Sequence, residues 1–376
     1  MTKFVRIAHL SAFRQSAGVQ RQLMFEQKAA RKLAPQVKWE VHTFLAEPPL
    51  VSNDGDEFSP TFVAPRYIPT PLRIWMAHWQ LFQWLRNNGT AYDFVLLRWP
   101  TISPFTLVNG KLLKQVFTVH HTKEVEELCG LGGWIMKVRA ILEDHIGPLL
   151  LRKVRGIIGV TNEIIQYELN RINTQQITFL YPNGVVYETL PLARVDAVNS
   201  HKRIVFLMVA SHFYPWHGLD LIFQSAQNNK SDFIFNIVGT VPSEIRQKIK
   251  KDSRFHCHGP LNATQIGQLA RQSDIGVSSL ALFRKNMTEA CPLKAREYLA
   301  LGLPVIGGYI DSGLPKDFPY YRQIDLRRES GFKEMIEVAK YLRTYSPRKI
   351  RQKSRLFIEK ISIMQSLLKD LNQVFG

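Results

Sequence analysis

The chain has 376 residues, of which 45% are hydrophobic and 21% are charged, a composition that excludes a disordered chain and supports more than one hydrophobic core. Its 49 basic and 31 acidic side chains leave a net charge of +18, which indicates a polyanionic partner such as a nucleic acid, an anionic lipid or a phosphorylated substrate. No run approaches the roughly 18 apolar residues of a membrane span. Three widely spaced cysteines favour a reducing compartment over a disulfide framework or a cysteine-bound metal. We therefore expect a cytoplasmic protein.

Short β-rich runs alternate with longer amphipathic patterns along the chain, which is typical of parallel sheets built from βαβ units. Arg6 and His9 interrupt the first apolar run, which therefore predicts a strand and not a signal peptide. The predicted strands of the first half are 4–10, 39–44, 94–98, 115–119, 156–160 and 176–181. Residues 185–200 lack periodicity and predict a linker. The predicted strands of the second half are 204–209, 233–238, 255–258, 275–278 and 304–306.

This order predicts an α/β fold of two Rossmann-like domains that face each other across a cleft. The first domain is expected over residues 1–190 and the second over residues 200–345. Ser346-Pro347 predicts the start of a helix over 346–376 that could return to the first domain. Ligands of such sheets bind at the carboxyl ends of the strands, so we expect the functional site in the cleft.

The most informative segment is 286–306, which carries two carboxylates, Glu289 and Glu297, eight residues apart. Pro292 suits the first position of a helix and Gly302 its C-terminal cap. Glu289 is therefore expected in the loop before the helix and Glu297 within the helix.

The first turn of this predicted helix offers anion-binding groups. The amides of Leu293 and Lys294 would be free donors at the positive end of the helix dipole, where a phosphate or a sugar carboxylate can bind. Glu297 can accept two hydrogen bonds from the vicinal hydroxyls of a ribose.

The segment resembles the E-x7-E motif of retaining glycosyltransferases of the GT-B fold. Two glutamates at this spacing are by themselves more often solvated helix carboxylates. The flanking Pro-Leu-Lys and Glu-Tyr-Leu-Ala-Leu-Gly-Leu-Pro-Val-Ile extend the resemblance over the whole segment. The resemblance implies that Glu289 contacts the transferred sugar and that Glu297 binds the nucleotide ribose.

Three further segments are similar to motifs of this family. Residues 17–23 look like its N-terminal glycine loop, in which Gly18 would let the backbone approach phosphate and sugar. Thr118-Val119-His120-His121 matches its Thr-x-His position, which places His120 near the donor sugar and the acceptor. Adjacent residues of an extended chain point to opposite sides, so only one of His120 and His121 faces the cleft, and the sequence leaves open which one. Gly239 follows a strand and matches a loop near the nucleotide.

The loop after the first strand of the second domain departs from the family. Most members carry Arg and Lys there to bind the donor diphosphate, whereas this chain has His212 and His217. A neutral imidazole donates one hydrogen bond and brings no charge, although a nearby diphosphate would favour imidazolium. Lys294 or Arg284 is the candidate for the missing positive charge.

The resemblance implies transfer of a sugar from a nucleotide-diphosphate sugar to a saccharide or lipid-linked saccharide, with retention of anomeric configuration. No cofactor or metal is expected: Asp54-Gly55-Asp56 matches an Asp-x-Asp metal motif, but its polar turn lacks the context of that motif. A nucleotide-sugar 2-epimerase on the same fold is one alternative. A non-catalytic nucleic-acid-binding protein is another, although no nucleic-acid-binding motif is visible.

Charge and aromatic content also suggest a membrane surface. Trp75 and Trp79 lie at helical spacing within 72–86, which predicts either a core-facing helix or an amphipathic helix on a membrane. Together with the charge of +18, this pattern leads us to expect a peripheral enzyme on the anionic inner face of the cell membrane, active in polysaccharide synthesis.

Overall fold

The computed structural model describes residues 4–33, 35, 37–50, 58–192, 203–227 and 229–375. Its contacts divide the chain into two compact units, Met1–Pro182 with Lys360–Gly376, and Asn183–Glu359. Each unit contains a parallel sheet with helices, so the predicted α/β fold of two Rossmann-like units is confirmed. None of the described helices is both long and apolar enough to cross a membrane.

The first unit is built on seven parallel strands in the order β3-β2-β1-β4-β5-β6-β7. The strands are β1 (Val5–Phe13), β2 (Val37–Leu45), β3 (Phe62–Val63), β4 (Phe94–Arg98), β5 (Val116–His120), β6 (Gly156–Gly159) and β7 (Thr178–Leu180). The helices are α1 (Ala17–Ala30), α2 (Thr70–Asn88), α3 (Pro104–Val108), α4 (Glu124–Leu131), α5 (Trp134–Leu151) and α6 (Asn162–Ile172). The central strands β1, β4 and β5 are mostly apolar because both faces of the sheet are buried under helices, and the buried polar residues among them are His9, Ser11, Thr118 and His120.

The second unit repeats this plan with six parallel strands in the order β10-β9-β8-β11-β13-β15, and a separate pair β12-β14. The strands are β8 (Ile204–His212), β9 (Phe233–Thr240), β10 (Phe255–Gly259), β11 (Ile275–Val277), β12 (Glu289–Ala290), β13 (Val305–Gly307), β14 (Ile310–Asp311) and β15 (Tyr321–Gln323). The helices are α7 (Leu219–Gln227), α8 (Ser243–Ile249), α9 (Ala263–Gln272), α10 (Leu293–Ala300), α11 (Gly331–Leu342) and α12 (Pro347–Ile358).

The predicted terminal helix is wrong in one respect, because two helices replace it. α12 is followed by Glu359, whose extended backbone (φ −67°, ψ 120°) interrupts the helix and forms a bridge with Val185. The last helix, α13 (Lys360–Phe375), groups with the first unit, whereas α12 groups with the second. The chain thus passes from the second unit to the first at Glu359.

The start of the predicted linker is also wrong. Val185 and Tyr187 are buried in the second unit, where the Val185 amide donates to the Ile358 carbonyl at 2.8 Å. Arg351 donates to the Tyr187 carbonyl at 2.8 Å. The boundary therefore falls at Pro182, and residues 193–200 of the predicted linker lie outside the described residues.

Candidate functional site

Two loops at the carboxyl edge of the second sheet are brought together by a glycine. Gly239 has φ +125°, and a Cβ there would lie 1.6 Å from the carbonyl oxygen of Ala210 on the neighbouring strand β8. Only glycine permits this approach. Phe213, just after β8, then donates its amide to the Thr240 carbonyl at 2.9 Å. The loops after β8 and β9 thus lie side by side where ligands of such sheets bind.

The β8 loop holds His217 as a neutral imidazole. The side chain is buried, and its Nδ1 accepts the amide hydrogen of Tyr214 at 2.9 Å, so its proton resides on Nε2. Burial and the nearby Lys294 ammonium lower the pKa of His217 to about 2. His212, at the end of β8, is exposed. His217 is therefore a hydrogen-bond donor and not a cation.

α10 is oriented by the side chains on its buried face. Tyr298 accepts the Val209 amide hydrogen at 2.8 Å and packs on Gly276, where a Cβ would come within 2.4 Å of its ring. Arg296 forms a fully buried ion pair with Asp311. These contacts fix the helix to β8, β11 and β14. Lys294 and Glu297 are only partly buried and lie three residues apart, hence on one side of the helix.

Lys294 is the unusual group of this helix. Its Nζ is buried and finds no hydrogen-bond partner among the described atoms. Burial lowers the pKa of its ammonium to about 8, while the Glu297 carboxylate acts in the opposite direction. A buried amine without acceptors is costly to the fold. The side chain is therefore suited to bind an anion.

The other candidate cation, Arg284, is already paired. Its guanidinium donates to both carboxylate oxygens of Asp220 at 2.9 and 2.7 Å and to the Pro215 carbonyl at 2.6 Å. A second lysine, Lys285, is buried with its Nζ 4.8 Å from the centre of the Trp216 ring. Of the two cations that the sequence offered, Lys294 is the one that influences His217.

The structural positions of the residues in and around the E-x7-E motif differ slightly from those predicted. Glu289 lies on the short strand β12, paired with β14, and not in an irregular loop. Pro292 is the residue before the first helical position, which Leu293 occupies. Gly302 follows the helix with φ +85°, which is the expected left-handed C-terminal geometry.

In the first unit, His120 ends β5 inside a buried acidic cluster. Its Nδ1 lies 3.1 Å from Glu124 Oε1 and 3.8 Å from Glu168 Oε1. Arg171 donates to Glu168 at 2.8 Å. Glu143 accepts from the Trp99 indole at 2.9 Å and lies 3.5 Å from Arg171. Burial lowers the pKa of the His120 imidazole, which is therefore neutral.

The cluster has more acidic than basic side chains, and protons bound to its carboxyls reduce the negative charge. Burial raises the pKa of Glu124 to about 8, helped by the charge of Glu143, and it raises the pKa of Glu168 to about 8, helped by the charge of Glu124. His120, Glu124 and Glu168 also place ligand atoms within 4.8 Å of one another, so they are the group in the described part of the chain that could surround one metal ion. Asp54-Gly55-Asp56 lies outside the described residues.

The neighbouring His121 has a different environment. It lies close to the side-chain amide of Gln22, 3.4 Å from Nε2 of the amide to each ring nitrogen. Burial and the positive charge of Arg98 lower its pKa well below the usual value.

Gly18 is the second residue of α1 and not a loop residue, and a Cβ there would meet no described atom within 4 Å.

The sequence did not single out several of these groups. Glu124, Glu143 and Glu168 lie far apart in the chain, so no spacing marks them as one cluster. Tyr298 and Asp311 look like ordinary core and turn residues until the fold brings them to α10. The match of His120 to the Thr-x-His position was the one signal for the first-unit cluster.

Comparisons with known proteins agree with this architecture. The family model of glycosyl transferases group 1 matches residues 203–317. A search of curated proteins found no match.

Solved structures cover nearly the whole chain. The lipopolysaccharide outer core galactosyltransferase WaaB in its apo form is 13% identical, with a TM-score of 0.62, over 97% of this chain and 99% of that chain. Sucrose-phosphate synthase from Thermosynechococcus elongatus is 17% identical, with a TM-score of 0.64, over 99% of each chain. HepE of Anabaena, in complex with UDP and glucose, is 12% identical, with a TM-score of 0.65, over 98% of this chain and 100% of that chain.

These likenesses show the fold, and the family model falls on the unit that carries α10 and the β8 loop. The chain has the α/β fold of GT-B glycosyltransferases, with two Rossmann-like units, and residues 203–317 match the glycosyl transferases group 1 family.

Proposed function

We propose that the chain transfers a hexose-like sugar from a nucleotide-diphosphate sugar to a hydroxyl of a saccharide or lipid-linked saccharide, with retention at the anomeric carbon. The observation that carries this proposal is the buried, unpartnered Nζ of Lys294 in the first turn of α10. A helix N-terminus with a desolvated cation is a binding site for a diphosphate. The family match of residues 203–317 supports the same assignment.

The donor diphosphate would be bound by three kinds of group in the second unit. The amides of Leu293 and Lys294 offer hydrogen bonds and the helix dipole, and the Lys294 ammonium offers charge. The Nε2–H of His217 is a further donor, with His212 at the exposed end of the same loop.

Sugar and ribose contacts would come from the two glutamates. Glu297 accepts hydrogen bonds from the ribose, and Glu289 binds the transferred sugar. Gly239 and Gly18 leave room for the donor beside the backbone, and His120 of the first unit positions the sugar or the acceptor.

The chemistry follows from charge stabilisation of the leaving group. As the anomeric bond breaks, negative charge grows on the diphosphate, and preorganised donors stabilise it most at that moment. A diphosphate oxygen on the same face can take the proton of the acceptor hydroxyl. No protein base and no metal ion are then required.

We further propose that the enzyme works on the anionic inner face of the cell membrane in polysaccharide synthesis. Each basic residue near such a surface contributes about 1 kcal/mol, and salt screens the attraction within about 8 to 10 Å. The charge of +18 supplies this attraction. Trp75 and Trp79 on α2 are 49% and 41% exposed, although Phe82 of the same helix is buried.

The test is a thermal-shift screen with UDP, GDP and their sugars, followed by nucleotide release with and without an added acceptor. We expect one nucleoside diphosphate to raise the melting temperature and its sugar to be turned over faster with acceptor. Release that no lipid or saccharide acceptor stimulates would instead indicate a nucleotide-sugar 2-epimerase. A protein that binds nucleic acid and ignores all nucleotides would refute the proposal.

A further inference from the structure

Helix α5 of the first unit exposes an apolar face. Along this helix, exposed apolar side chains recur at intervals of three, four and seven residues, which places them on one side. They are Trp134, Ile135, Val138, Ile141, Leu142 and Leu149. Trp134 is 75% exposed and Ile141 is 59% exposed. Clusters of large exposed apolar side chains mark interaction surfaces.

One of the two acidic side chains of this helix is buried on its opposite side. Glu143 is fully buried and accepts hydrogen bonds from the Trp99 indole at 2.9 Å and from the Ile102 amide at 2.8 Å. A surface helix normally turns its apolar stripe inward and its charges outward. In α5 the exposed side carries six large apolar side chains around one polar side chain, His145, so its sequence is adapted to something that covers that side.

Positive charge flanks this face. Lys137 and Arg139 are exposed on α5, and Arg152 and Lys153 follow at its end, against the single exposed acidic residue of the helix, Asp144. In a dimer formed through this face, these cations would lie close to the same cations of the second copy. Two chains of charge +18 would also repel each other. An anionic bilayer has the opposite charge, and its interior accepts the apolar side chains.

A second helix of the same layer has the same character. Ala77 and Leu81 of α2 and Leu150 of α5 belong to one core cluster on the sheet. α2 exposes Leu72 in addition to two of its three tryptophans, Trp75 and Trp79. The layer formed by α2 and α5 therefore has a buried side that packs on the sheet and an exposed side with large apolar groups.

We propose that the exposed face of α5 inserts into the headgroup region of an anionic bilayer, with the flanking lysine and arginine side chains on the lipid phosphates. This inference rests on the proposed membrane function and deepens it, because it assigns the insertion to α5. Insertion explains why these apolar groups are exposed, and it gives binding a part that high salt does not screen. α2 would lie against the same surface.

The experiment is co-sedimentation of the full chain with vesicles of phosphatidylcholine, with and without phosphatidylglycerol, at rising salt. The test variant is Trp134→Ser with Ile141→Ser, two exposed positions whose change leaves the core intact. The matched control is Leu356→Ser, because Leu356 is 73% exposed on α12 of the second unit. We expect the double variant to bind anionic vesicles about tenfold more weakly and to lose the salt-resistant part. The control should bind like the wild type.

The other outcomes are decisive as well. Wild-type vesicle binding by the double variant would overturn the assignment to α5. A wild-type dimer that becomes monomeric in the double variant, with vesicle binding unchanged, would assign the face to self-association. Thermal shifts with UDP and GDP, measured on the same proteins, report the donor site separately. Loss of vesicle binding with intact nucleotide shifts supports the inference, whereas absent nucleotide shifts in the wild type contradict the proposed function alone.

Discussion

The two glutamates of the motif occupy different structural positions, and this difference predicts different kinetic effects. Glu297 lies within α10 and Glu289 on β12. We expect Glu297→Ala to raise the KM for the donor about 10- to 100-fold, because ribose hydrogen bonds to a charged group act equally in the ground and transition states. Glu289→Ala should instead lower kcat about 100-fold, because the sugar contact that we propose for Glu289 would strengthen as the bond breaks. Steady-state kinetics separates the two, and two variants with full activity would contradict the assignment.

We expect Lys294 to strengthen nucleotide binding and to lower the stability of the fold. Lys294→Met should bind a nucleoside diphosphate at least about tenfold more weakly. The same change should raise the melting temperature below pH 8, since the folded state then no longer buries an ammonium whose pKa is lowered to about 8. The unfolded lysine titrates near 10.4, so the stability gap should close as the pH rises from 8 toward that value.

Arg284→Met is the control for this prediction, because Arg284 is bonded to Asp220. This control should lower the melting temperature and affect nucleotide affinity less. If Lys294→Met destabilises the protein and leaves affinity unchanged, Lys294 is a structural residue.

At the scale of elements, α13 is fastened to the first unit by a buried ionic cluster. Glu26 of α1 accepts from His9 at 2.7 Å and from the Trp39 indole at 2.9 Å, and the Lys360 ammonium lies 3.6 Å from its other oxygen. The same ammonium is 3.8 Å from the centre of the Tyr181 ring. Burial opposes ionisation of Glu26, but His9 and Lys360 lower its pKa to about 2.

We therefore expect Lys360→Met to cost about 3 kcal/mol of unfolding free energy, because an unbalanced buried charge remains. Glu26→Gln combined with Lys360→Met should recover part of this loss. The stability from Glu26 is present above its unfolded pKa of about 4.3 and is lost as the pH falls toward 2. Urea titrations at pH 7 and pH 3 measure both effects. An Lys360→Met variant as stable as the wild type would contradict this account.

The acidic cluster of β5, α4, α5 and α6 predicts the opposite pH dependence. The carboxyls of Glu124 and Glu168 bind protons more tightly in the folded state, with pKa values of about 8. Between about pH 4.5 and 8 the folded state therefore holds more protons than the unfolded state, and the free energy of unfolding falls as the pH rises. His120, Glu143 and Arg171 face the same pair.

Glu124→Gln should flatten this fall, because a neutral amide replaces one of the two carboxyls that compete for protons. Melting temperatures of wild type and variant from pH 5 to 8 give the comparison, and the difference between the curves removes contributions of other groups. Parallel curves would show that the pair does not titrate as described.

For the whole molecule, the sequence was sufficient for the order of elements and insufficient for details that depend on tertiary contacts. Strands such as β4 and β9 are mostly apolar runs between turn signals, so they were predicted closely. β3, β12 and β14 have two residues each, too few for a periodic pattern, and the three residues of β15, Tyr321–Gln323, do not form an apolar run. The break at Glu359 was missed because α12 and α13 form one continuous helical pattern, and only the bridge to Val185 separates them.

The elements that carry Glu289, Lys294 and Glu297 were predicted closely because one contiguous motif contains all three residues, and their binding roles stay predictions. It was not predictable where the fold unites distant residues, as in the cluster of His120 with Glu124 and Glu168. The choice between Lys294 and Arg284 also needed the structure, because the pairing of Arg284 with Asp220 is a tertiary contact.

The central claim is that this chain uses a nucleotide-diphosphate sugar as donor without a metal. The most direct measurement is acceptor-dependent release of nucleoside diphosphate from UDP- and GDP-sugars in excess EDTA, with the saccharide product analysed for its anomeric configuration. The account predicts release in step with a retained-configuration product, undiminished by EDTA and lost in Glu289→Ala. Turnover that stops on chelation and returns with manganese or magnesium, or a product of inverted configuration, would contradict it.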